Sequence, residues 1–403
     1  MPDRILIVTT LDLMAWVLLR PWLAALLGAG YEVHLACSRG PYWERLAGVG
    51  LRLHDVGLRR SFNPFAHLAP LLALYRLIRA HRFGLVNTHS PVAAAVGRLA
   101  AWLAGCPRIV YTVHGFYFHE NMPLLPRLAF TVIERLLGRL TNHFMFVSEE
   151  DRQTALRARI ARHPAQTDTI YNGVDLGRFT PLAPASGEAL DLRRGLGLPG
   201  AACVVGIVGR IVREKGYREF LEMARQVAAR RPDAVFLVVG DDLASDRDHF
   251  GGVLRRRVRA ANLAWHFVFT GFTEQVAGYL RAMDVFVLPS YREGLPRSVL
   301  EAMGCGIPVV ATAIRGCREA VVRGKTGLLV APRDAGELTR AVMYLLDHPE
   351  MAARMGRAGR RRAEEVYDQR LVQERFVGVL SRVLDSAAPS TSARQEQAAW
   401  QDR

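Results

Sequence analysis

Lysine is almost missing from this chain of 403 residues. Of its 53 lysines and arginines only two, Lys215 and Lys325, are lysines. The arginines are unevenly spread: residues 51–140 hold eleven of them against three acidic residues, about half of the net charge of +15. Such a basic stretch suits nucleic acid, anionic lipid headgroups or a diphosphate substrate, and a solvated arginine-rich surface is the alternative.

Several signatures that would point to other classes of protein are absent. No zinc-finger spacing and no aromatic RNA-binding signature accompanies the basic residues, so we expect no nucleic-acid partner. The five cysteines form no CxxC pair and are expected to be reduced, and Cys305 and Cys317 are expected to be buried. The start, Met1 to Thr10, lacks a basic segment and has the pattern of a strand rather than of a signal peptide. These features predict a cytoplasmic protein.

Long hydrophobic runs are also absent. The most apolar stretch, Leu11 to Gly30, is interrupted by Asp12 and by Arg20 and Pro21. A membrane-spanning helix needs about 20 predominantly apolar residues. The sequence therefore predicts no spanning helix, and at most a peripheral position at the inner face of the cytoplasmic membrane, on an anionic lipid surface.

Short β-branched runs alternate with longer helical patterns in both halves of the chain. The predicted strands of the first half are Ile5–Thr9, Val33–Cys37, Leu85–Thr88, Ile109–Val113, His143–Val147 and Thr169–Tyr171. Those of the second half are Cys203–Val208, Val235–Val239, Trp265–Thr270, Val285–Leu288, Val309–Ala311 and Gly327–Val330. Apolar runs this short, separated by helices, indicate buried parallel strands. The prediction is an α/β protein with two Rossmann-like, doubly wound domains.

Prolines and glycines cluster between the two series of strands and indicate a linker. The predicted boundaries are an N-terminal domain at 1–178, a linker at 179–200, a C-terminal domain at 201–366, a closing helix at 367–385 and a disordered tail at 386–403. The apolar spacing of the closing helix suits packing on one of the domains. The tail loses its hydrophobic pattern after about residue 386.

The strongest candidate site follows the predicted strand Val285–Leu288. Glu293 lies in the loop before a helix that is expected to start at Pro296, a position that proline favours. Glu301 lies a turn and a half inside that helix. A loop carboxylate can accept hydrogen bonds from a hexose, and one inside the helix can hold a ribose diol. The amides between them, which suit a diphosphate, are those of Gly294, Leu295 and Arg297.

A second candidate follows the strand Cys203–Val208. Gly209 and Arg210 end this strand, and Lys215 comes five residues later, before a helix. Two cations at that spacing can neutralise a nucleoside diphosphate leaving group, and each sheltered charge-assisted contact contributes roughly 1.5–3 kcal/mol. The alternative is a solvated basic turn. That alternative is weakened because one of the two lysines of the chain lies at this position.

These motifs resemble the large retaining glycosyltransferase family known as family 4, of GT-B architecture, over essentially the whole chain before the tail. The matching motifs are Gly209-Arg210, Lys215-Gly216, Pro289-Ser290, Glu293-Gly294, Glu301-Ala302-Met303, Gly306-Ile307-Pro308-Val309-Val310-Ala311-Thr312 and Gly324-Lys325-Thr326-Gly327-Leu328-Leu329-Val330. The resemblance implies two domains that face each other across a cleft and bind a nucleotide-sugar donor, with a uridine nucleotide favoured. It implies diphosphate binding by Arg210 and Lys215, sugar binding by Glu293 and ribose binding by Glu301.

In the first half of the chain, only a resemblance to a subgroup of the family indicates the class of acceptor. Its motifs around His89 and from Tyr111 to His119 are similar to the subgroup that extends lipid-diphosphate-linked sugars for surface polysaccharides. The resemblance places His114 against the reacting sugar and makes His89 and Tyr117 acceptor-binding candidates. The expected acceptor is a polyprenyl-diphosphate-linked or other saccharide.

Two motifs depart from the family. The glycine-rich loop that many members carry after the first strand is replaced by Thr9-Thr10-Leu11-Asp12, and Gly240-Asp241-Asp242 stands where Gly-Asp-Gly is common. The aspartate pair does not indicate a metal site, since transferases of this kind use cations from the protein. We therefore expect neither metal nor cofactor.

The mechanism expected from these residues retains the anomeric configuration. The sugar leaves as an oxocarbenium-like species while Arg210, Lys215 and the helix hold the diphosphate, whose oxygen takes the acceptor proton. Glu293 as a carboxylate nucleophile is the alternative. Three other readings stay open: a catalytically inactive nucleotide-sugar-binding or scaffolding subunit, a two-domain epimerase or phosphorylase, and a membrane-surface adaptor.

Overall fold

The computed structural model describes residues 3–61, 63–182, 187–198, 202–242 and 248–386, without the side chains of Ala189 and Leu190. The predicted disordered tail lies outside the described residues except for Ser386, and so do parts of the predicted linker. The described residues form two compact units. Unit 1 comprises those up to Ile170 and those from Gln373 onward, and unit 2 those from Tyr171 to Val372.

Unit 1 contains a seven-stranded parallel sheet in the order β3-β2-β1-β4-β5-β6-β7. Its strands are β1 Arg4–Leu11, β2 Glu32–Ser38, β3 Arg52–Asp55, β4 Leu85–His89, β5 Ile109–Val113, β6 His143–Phe146 and β7 Thr167–Thr169. The strand order reverses between β1 and β4. The carboxyl ends of the two strands at such a switch point flank a crevice in which ligands bind.

Unit 2 contains a six-stranded parallel sheet in the order β10-β9-β8-β11-β12-β13. Its strands are β8 Cys203–Val208, β9 Ala234–Val239, β10 Phe267–Phe269, β11 Val285–Leu288, β12 Val309–Thr312 and β13 Gly327–Val330. Its switch point lies between β8 and β11. The predicted class of two Rossmann-like α/β domains is therefore confirmed.

Helices connect the strands of both sheets. They are α1 Asp12–Met14, α2 Arg20–Gly28, α3 Trp43–Ala47, α4 Leu68–His81, α5 Pro91–Leu103, α6 Leu124–Gly138, α7 Glu149–Arg157, α8 Gly187–Gly195, α9 Tyr217–Ala228, α10 Gly251–Ala260, α11 Val276–Arg281, α12 Arg297–Gly304, α13 Cys317–Ala320, α14 Ala335–Asp347, α15 Pro349–Val366 and α16 Gln369–Asp385. A π-helical segment, Ala15–Leu19, joins α1 to α2, and short 3-10 turns include Arg213–Lys215. No helix within the described ranges is long and apolar enough to cross a bilayer.

Burial on both faces explains why the central strands are continuous apolar runs. In β9 every residue is buried, and in β8 all but Cys203 are. Each such valine, leucine or isoleucine stabilises the fold by about 1.5–3 kcal/mol relative to an exposed one. Helices that cover both faces leave the carboxyl ends of the strands, with the loops that follow them, as the places where polar side chains can gather.

Several strands differ from the predicted bounds by one or two residues, and three differences have a physical reason. The short strand β3 was not predicted, because its polar and apolar residues alternate and all four are at least partly exposed. β7 lies two residues earlier than the predicted Thr169–Tyr171, since Tyr171 has a positive φ of 66° that no strand accommodates. β10 is shorter than Trp265–Thr270 because a 3-10 turn occupies Ala264–His266.

Candidate active site

The candidate donor residues of unit 2 follow two neighbouring strands at the switch point. Gly209 and Arg210 come directly after β8, and Lys215 ends the 3-10 turn before α9. Glu293 lies in the loop between β11 and α12. Because β8 and β11 are adjacent and parallel, these loops emerge at the same edge of the sheet.

Lys215 and Glu293 form an ion pair although 78 residues separate them. The distance from Lys215 Nζ to Glu293 Oε1 is 2.6 Å. Ser290 Oγ donates to the same carboxylate oxygen over 2.7 Å. The side chains of Lys215 and Glu293 are only 17% and 10% exposed, so this pair is sheltered from screening by water. Both contacts use Oε1, and Oε2 accepts no hydrogen bond from a described residue.

A glycine allows the two loops to approach closely. Gly216 has a φ of +75°, and a Cβ at this position would lie 2.0 Å from the carbonyl oxygen of Pro289. Any other residue would push the loop that carries Lys215 away from the loop that carries Glu293. Tyr217 holds the first loop from the other side, because its hydroxyl donates to the Gly209 carbonyl over 2.9 Å. The backbone thus positions the ion pair.

Glu214 organises the cations around this pair. Its carboxylate lies 3.5 Å from Arg210 Nη2 and 2.9 Å from Arg292 Nη2. Its carbonyl accepts from the Tyr291 amide over 2.8 Å, which ties the two loops together again. Arg210 is 39% exposed, so its guanidinium stays accessible to an anion from solvent.

The helix α12 begins at Arg297, one residue after the predicted start at Pro296. Two contacts fix the turn before it. Asn172 Nδ2 donates to the Leu295 carbonyl over 2.7 Å, and Gly316 packs so tightly that a Cβ there would overlap the Gly294 carbonyl oxygen. The amides of Gly294 and Leu295 donate to no described residue. They are therefore available to an anion at the positive end of the helix.

Glu301 lies on the first turns of α12 with little exposure to solvent. Its carboxylate is 13% exposed and lies 3.4 Å from Arg297 Nη2. Burial raises the pKa of the Glu301 carboxyl, and the nearby Arg297 and Arg178 partly oppose that rise. A buried carboxylate with a single long ion pair can still accept hydrogen bonds from a ligand diol.

The candidate residues of unit 1 also lie at strand ends. His89 is the last residue of β4 and His114 follows β5, the adjacent strand. His89 Nδ1 and His114 Nε2 are 2.9 Å apart and share a hydrogen bond. Trp22 stacks on the His114 ring, with centroids 5.6 Å apart. The outer nitrogens, His114 Nδ1 and His89 Nε2, are buried and have no hydrogen-bond partner among the described residues.

The loop after β1 lacks the family's glycines and is held by Asp12 instead. This buried carboxylate accepts from the Leu13 amide over 2.7 Å and from the Tyr42 amide over 2.8 Å. Thr10 and Ser90 pair over 2.7 Å through their hydroxyls, at the carboxyl ends of β1 and β4. Tyr117, the third acceptor candidate, packs against Phe130 of α6 with ring centroids 4.6 Å apart.

The histidine pair gives a stability that depends on pH. Burial lowers the pKa of His114 to about 3 and that of His89 well below its usual value. Below pH 6.5 unfolded His114 takes up a proton that the folded residue does not, so stability is complete above pH 6.5 and is lost as pH falls. His114→Gln is expected to flatten this dependence by up to about 1.4 kcal/mol per pH unit.

Urea unfolding at a series of pH values between neutrality and the acid range measures this slope. The exposed His163→Gln is the matched control, and its slope should equal that of the wild type. Equal slopes for the wild type and His114→Gln would show that His114 takes up its proton equally in the folded and the unfolded protein, which contradicts a lowered pKa.

Sequence reasoning did not select Ser290, Glu214 or Tyr217. Ser290 lies two residues after the end of β11, and this position near the strand end was the signal that could have identified it. Glu214 precedes Lys215 in the loop already singled out, and Tyr217 begins the helix that follows this loop. Their contacts depend on side-chain directions that spacing alone does not predict.

The fold and this arrangement define a two-domain α/β protein in which arginine, lysine and glutamate side chains gather at the switch point of unit 2. The family described as "Glycosyl transferases group 1" matches residues 190–362, and "Glycosyltransferase Family 4" matches residues 18–178. The chain belongs to the family 4 glycosyltransferases, and it is a glycosyltransferase of GT-B architecture.

Individual proteins agree with this assignment. The chain is 29% identical over 321 residues to the UDP-Gal:alpha-D-GlcNAc-diphosphoundecaprenol alpha-1,3-galactosyltransferase of Escherichia coli, with 79% of this chain and 80% of that protein covered. It is 34% identical to the 2-deoxystreptamine glucosyltransferase of Streptomyces kanamyceticus, with 66% of this chain and 68% of that protein covered. Anabaena HepE, solved with UDP and glucose, shares the fold at a TM-score of 0.78 and 20% identity, over 94% of this chain and 100% of that chain.

Proposed function

We propose that this enzyme transfers a hexose with retention from a UDP-sugar to a polyprenyl-diphosphate-linked or other saccharide acceptor in surface glycan synthesis. The observation that carries the proposal is the sheltered contact between Lys215 and Glu293 at the switch point of unit 2. The Lys215 cation suits the diphosphate of a nucleotide sugar, and the adjacent Glu293 carboxylate suits the hydroxyl groups of its sugar. The E. coli relative is named for a UDP-sugar donor and a lipid-linked acceptor.

Donor binding is assigned to unit 2. Arg210 and Lys215 bind the diphosphate together with the backbone at Gly209 and the start of α12, whose residues Gly294, Leu295 and Arg297 supply amides. Glu293 accepts a hydrogen bond from the donor sugar through its second oxygen. Glu301 holds the ribose diol. In this arrangement the charge that develops on the leaving diphosphate meets preorganised donors, which is the main source of catalysis here.

Acceptor binding is assigned to unit 1. His114 contacts the reacting sugar, and His89 orients the His114 ring through their shared hydrogen bond. Tyr117 contributes an aromatic edge beside α6. The pair is neutral at physiological pH because burial lowers the pKa of both imidazoles. It therefore binds hydroxyl groups rather than anions.

The proposed reaction needs neither metal nor cofactor. The carbon–oxygen bond to the diphosphate breaks, the acceptor hydroxyl attacks the same face, and a phosphate oxygen receives the hydroxyl proton. The alpha linkage in the E. coli relative's name is the product that retention gives from an alpha-linked nucleotide sugar. Glu293 is committed to Lys215 and Ser290, which favours its role in sugar binding over that of a nucleophile.

The experiment begins with a thermal-shift panel of UDP-, GDP- and ADP-sugars, since a ligand that binds the folded state raises Tm with occupancy. The selected donor is then incubated with an undecaprenyl-diphosphate-linked N-acetylglucosamine and, separately, with a soluble aminocyclitol acceptor. We expect a UDP-sugar, the lipid-linked acceptor and an alpha product by NMR. Inversion at the anomeric carbon would rule out the proposed mechanism, and a purely soluble acceptor would rule out the lipid-linked class.

A peripheral membrane position, at the cytoplasmic face, is part of this proposal, and α6 supports it. Six apolar side chains of this helix are between 48% and 79% exposed, namely Leu124, Leu125, Leu128, Val132, Ile133 and Leu136. The opposite side docks on unit 1: Glu134 pairs with the buried Arg98 over 2.8 Å, and a Cβ at Gly138 would lie 2.2 Å from the Ile160 carbonyl oxygen. An anchored helix with an apolar outer face suits the lipid interface.

Exposed arginines complement that apolar face. Arg127, Arg135 and Arg139 all lie on or directly after α6 and are exposed. An apolar face flanked by cations is attracted to anionic lipid and buries its side chains among the acyl chains. The proposed partner is therefore an anionic bilayer surface.

The double substitution Leu125→Asp and Val132→Asp is expected to weaken vesicle binding by about 100-fold, because two apolar contacts of about 1.5 kcal/mol each are lost. Flotation with vesicles that contain anionic phospholipid measures the effect. The matched control places the same two charges at exposed apolar sites of unit 2, Trp265→Asp with Phe272→Asp. Binding that does not depend on anionic lipid, or equal losses in both variants, would refute the membrane proposal.

A further inference from the structure

Three histidines converge at the edge of the unit 1 sheet, apart from the residues assigned to the reaction. They are His34 in β2, His54 in β3 and His81 at the end of α4. One ring nitrogen from each lies within 4.8 Å of those of the other two. His34 Nδ1 and His54 Nε2 are 2.8 Å apart. His34 is fully buried, and the other two are partly buried.

The local surroundings orient the histidines as ligands. Glu32 Oε1 lies 3.0 Å from His34 Nε2, so this carboxylate occupies the outer nitrogen and directs Nδ1 toward His54. A carboxylate on the far nitrogen is the usual support of a metal-bound histidine, because it fixes the ring and raises its basicity. Glu32 is itself held by Arg4 over 3.1 Å and by Arg52 over 3.2 Å.

Packing limits what these rings can otherwise do. The His34 ring lies against Phe83 at 4.8 Å and against His81 at 5.0 Å between centroids, and both contacts are edge-on. The His34 and His54 nitrogens that face each other share one hydrogen bond, so one of them accepts through its lone pair and the other donates. A single cation among the three nitrogens would satisfy all of them at once.

We propose that His34, His54 and His81 bind one divalent transition-metal ion of the zinc class, with a water molecule as the fourth ligand. Imidazole nitrogen is a preferred ligand of Zn²⁺, at about 2.0–2.1 Å. In a tetrahedral site two such nitrogens are about 3.4 Å apart. The His34 and His54 nitrogens therefore need to separate by roughly 0.6 Å, which a side-chain rotation accommodates.

The position of the cluster defines its role. His54 lies on the edge strand β3, His34 lies on its neighbour β2, and His81 ends the helix that precedes β4. The ion would tie the short strand β3 and the end of α4 to the sheet. It contributes stability to unit 1 and takes no part in glycosyl transfer, so this inference is independent of the proposed function.

The test uses the tag-free, full-length protein after treatment with a chelator. Equilibrium dialysis is expected to find one tightly bound Zn²⁺ per chain. At a free Zn²⁺ concentration about 100 times Kd, the Tm of unit 1 should rise by about 5–10 °C. The variants His54→Gln and His81→Gln should each lose the bound ion and the shift, while the exposed His163→Gln keeps both.

Other outcomes overturn the proposal. No binding by the wild type would show that the histidines form only a hydrogen-bonded cluster. Binding that persists in both His54→Gln and His81→Gln would place the ion elsewhere. If a variant fails to fold, Co²⁺ bound to the wild type decides the question: the intense visible absorption of four-coordinate Co²⁺ supports the site, and the weak spectrum of six-coordinate Co²⁺ contradicts it.

Discussion

Replacing Lys215 with alanine is expected to lower kcat/KM by about 10²–10³-fold. Its ammonium group is the cation closest to Glu293 and is sheltered from solvent. Removing one preorganised charge from a site of developing negative charge costs a factor of this size. The loss should fall mainly on kcat, because the charge on the diphosphate grows as the bond to the sugar breaks. Steady-state kinetics with the donor selected by the thermal-shift panel measure it.

The chain supplies its own control for this substitution. Lys325 is the other lysine, it is exposed, and Lys325→Ala should leave kcat and KM unchanged. Lys215→Arg should recover only part of the activity, since a guanidinium cannot occupy the space of an ammonium beside Gly209 and Ser290. Wild-type kcat in Lys215→Ala would remove this residue from the catalytic machinery, whatever its contact with Glu293.

The second large effect is expected at Glu301, where alanine should raise KM for the donor by about 10–100-fold. One charge-assisted hydrogen bond from the ribose diol to a buried carboxylate contributes roughly 1.5–3 kcal/mol. The diol is held equally in the ground state and in the transition state, so kcat should change little. Donor titration by calorimetry and steady-state kinetics should report the same loss.

A matched control separates this effect from a general loss of charge. Glu350 is an exposed glutamate in the first turn of α15, and Glu350→Ala should bind donor as the wild type does. Glu301→Gln keeps one hydrogen-bond acceptor, so its donor KM should lie between that of the wild type and that of Glu301→Ala. A donor KM that does not change in Glu301→Ala would place the ribose elsewhere, and a loss confined to kcat would assign Glu301 to the chemical step.

The sequence pattern predicted the sheets well where strands are buried on both faces. β8, β11 and β13 have the predicted bounds, because a glycine or a proline within two residues of the strand end, namely Gly209, Pro289 or Pro332, stops each apolar run. Partly exposed β3 escaped prediction, since a four-residue alternation carries little information. The π-helical turn after α1 was also not predicted, because no residue type specifies such a turn.

The same contrast applies to the site. Strand-end logic and the family resemblance together predicted that Lys215 and Glu293 come together, and the 2.6 Å ion pair shows this contact. The sequence could not predict that Lys215 and Ser290 both contact Oε1 of Glu293, because these contacts depend on side-chain rotamers. The contact between His89 and His114 also depends on ring orientation, which spacing does not determine. The binding roles of these residues stay predictions.

The ion pair of Lys215 has a practical consequence for labelling the protein. Amine-directed reagents find only two side-chain amines in the whole sequence, and these differ sharply in reactivity. The Lys325 amine is open to solvent, whereas that of Lys215 is hydrogen-bonded to a carboxylate and largely covered. Acylation followed by mass spectrometry can therefore monitor a single atom of the donor site, and a bound nucleotide sugar should slow its modification further.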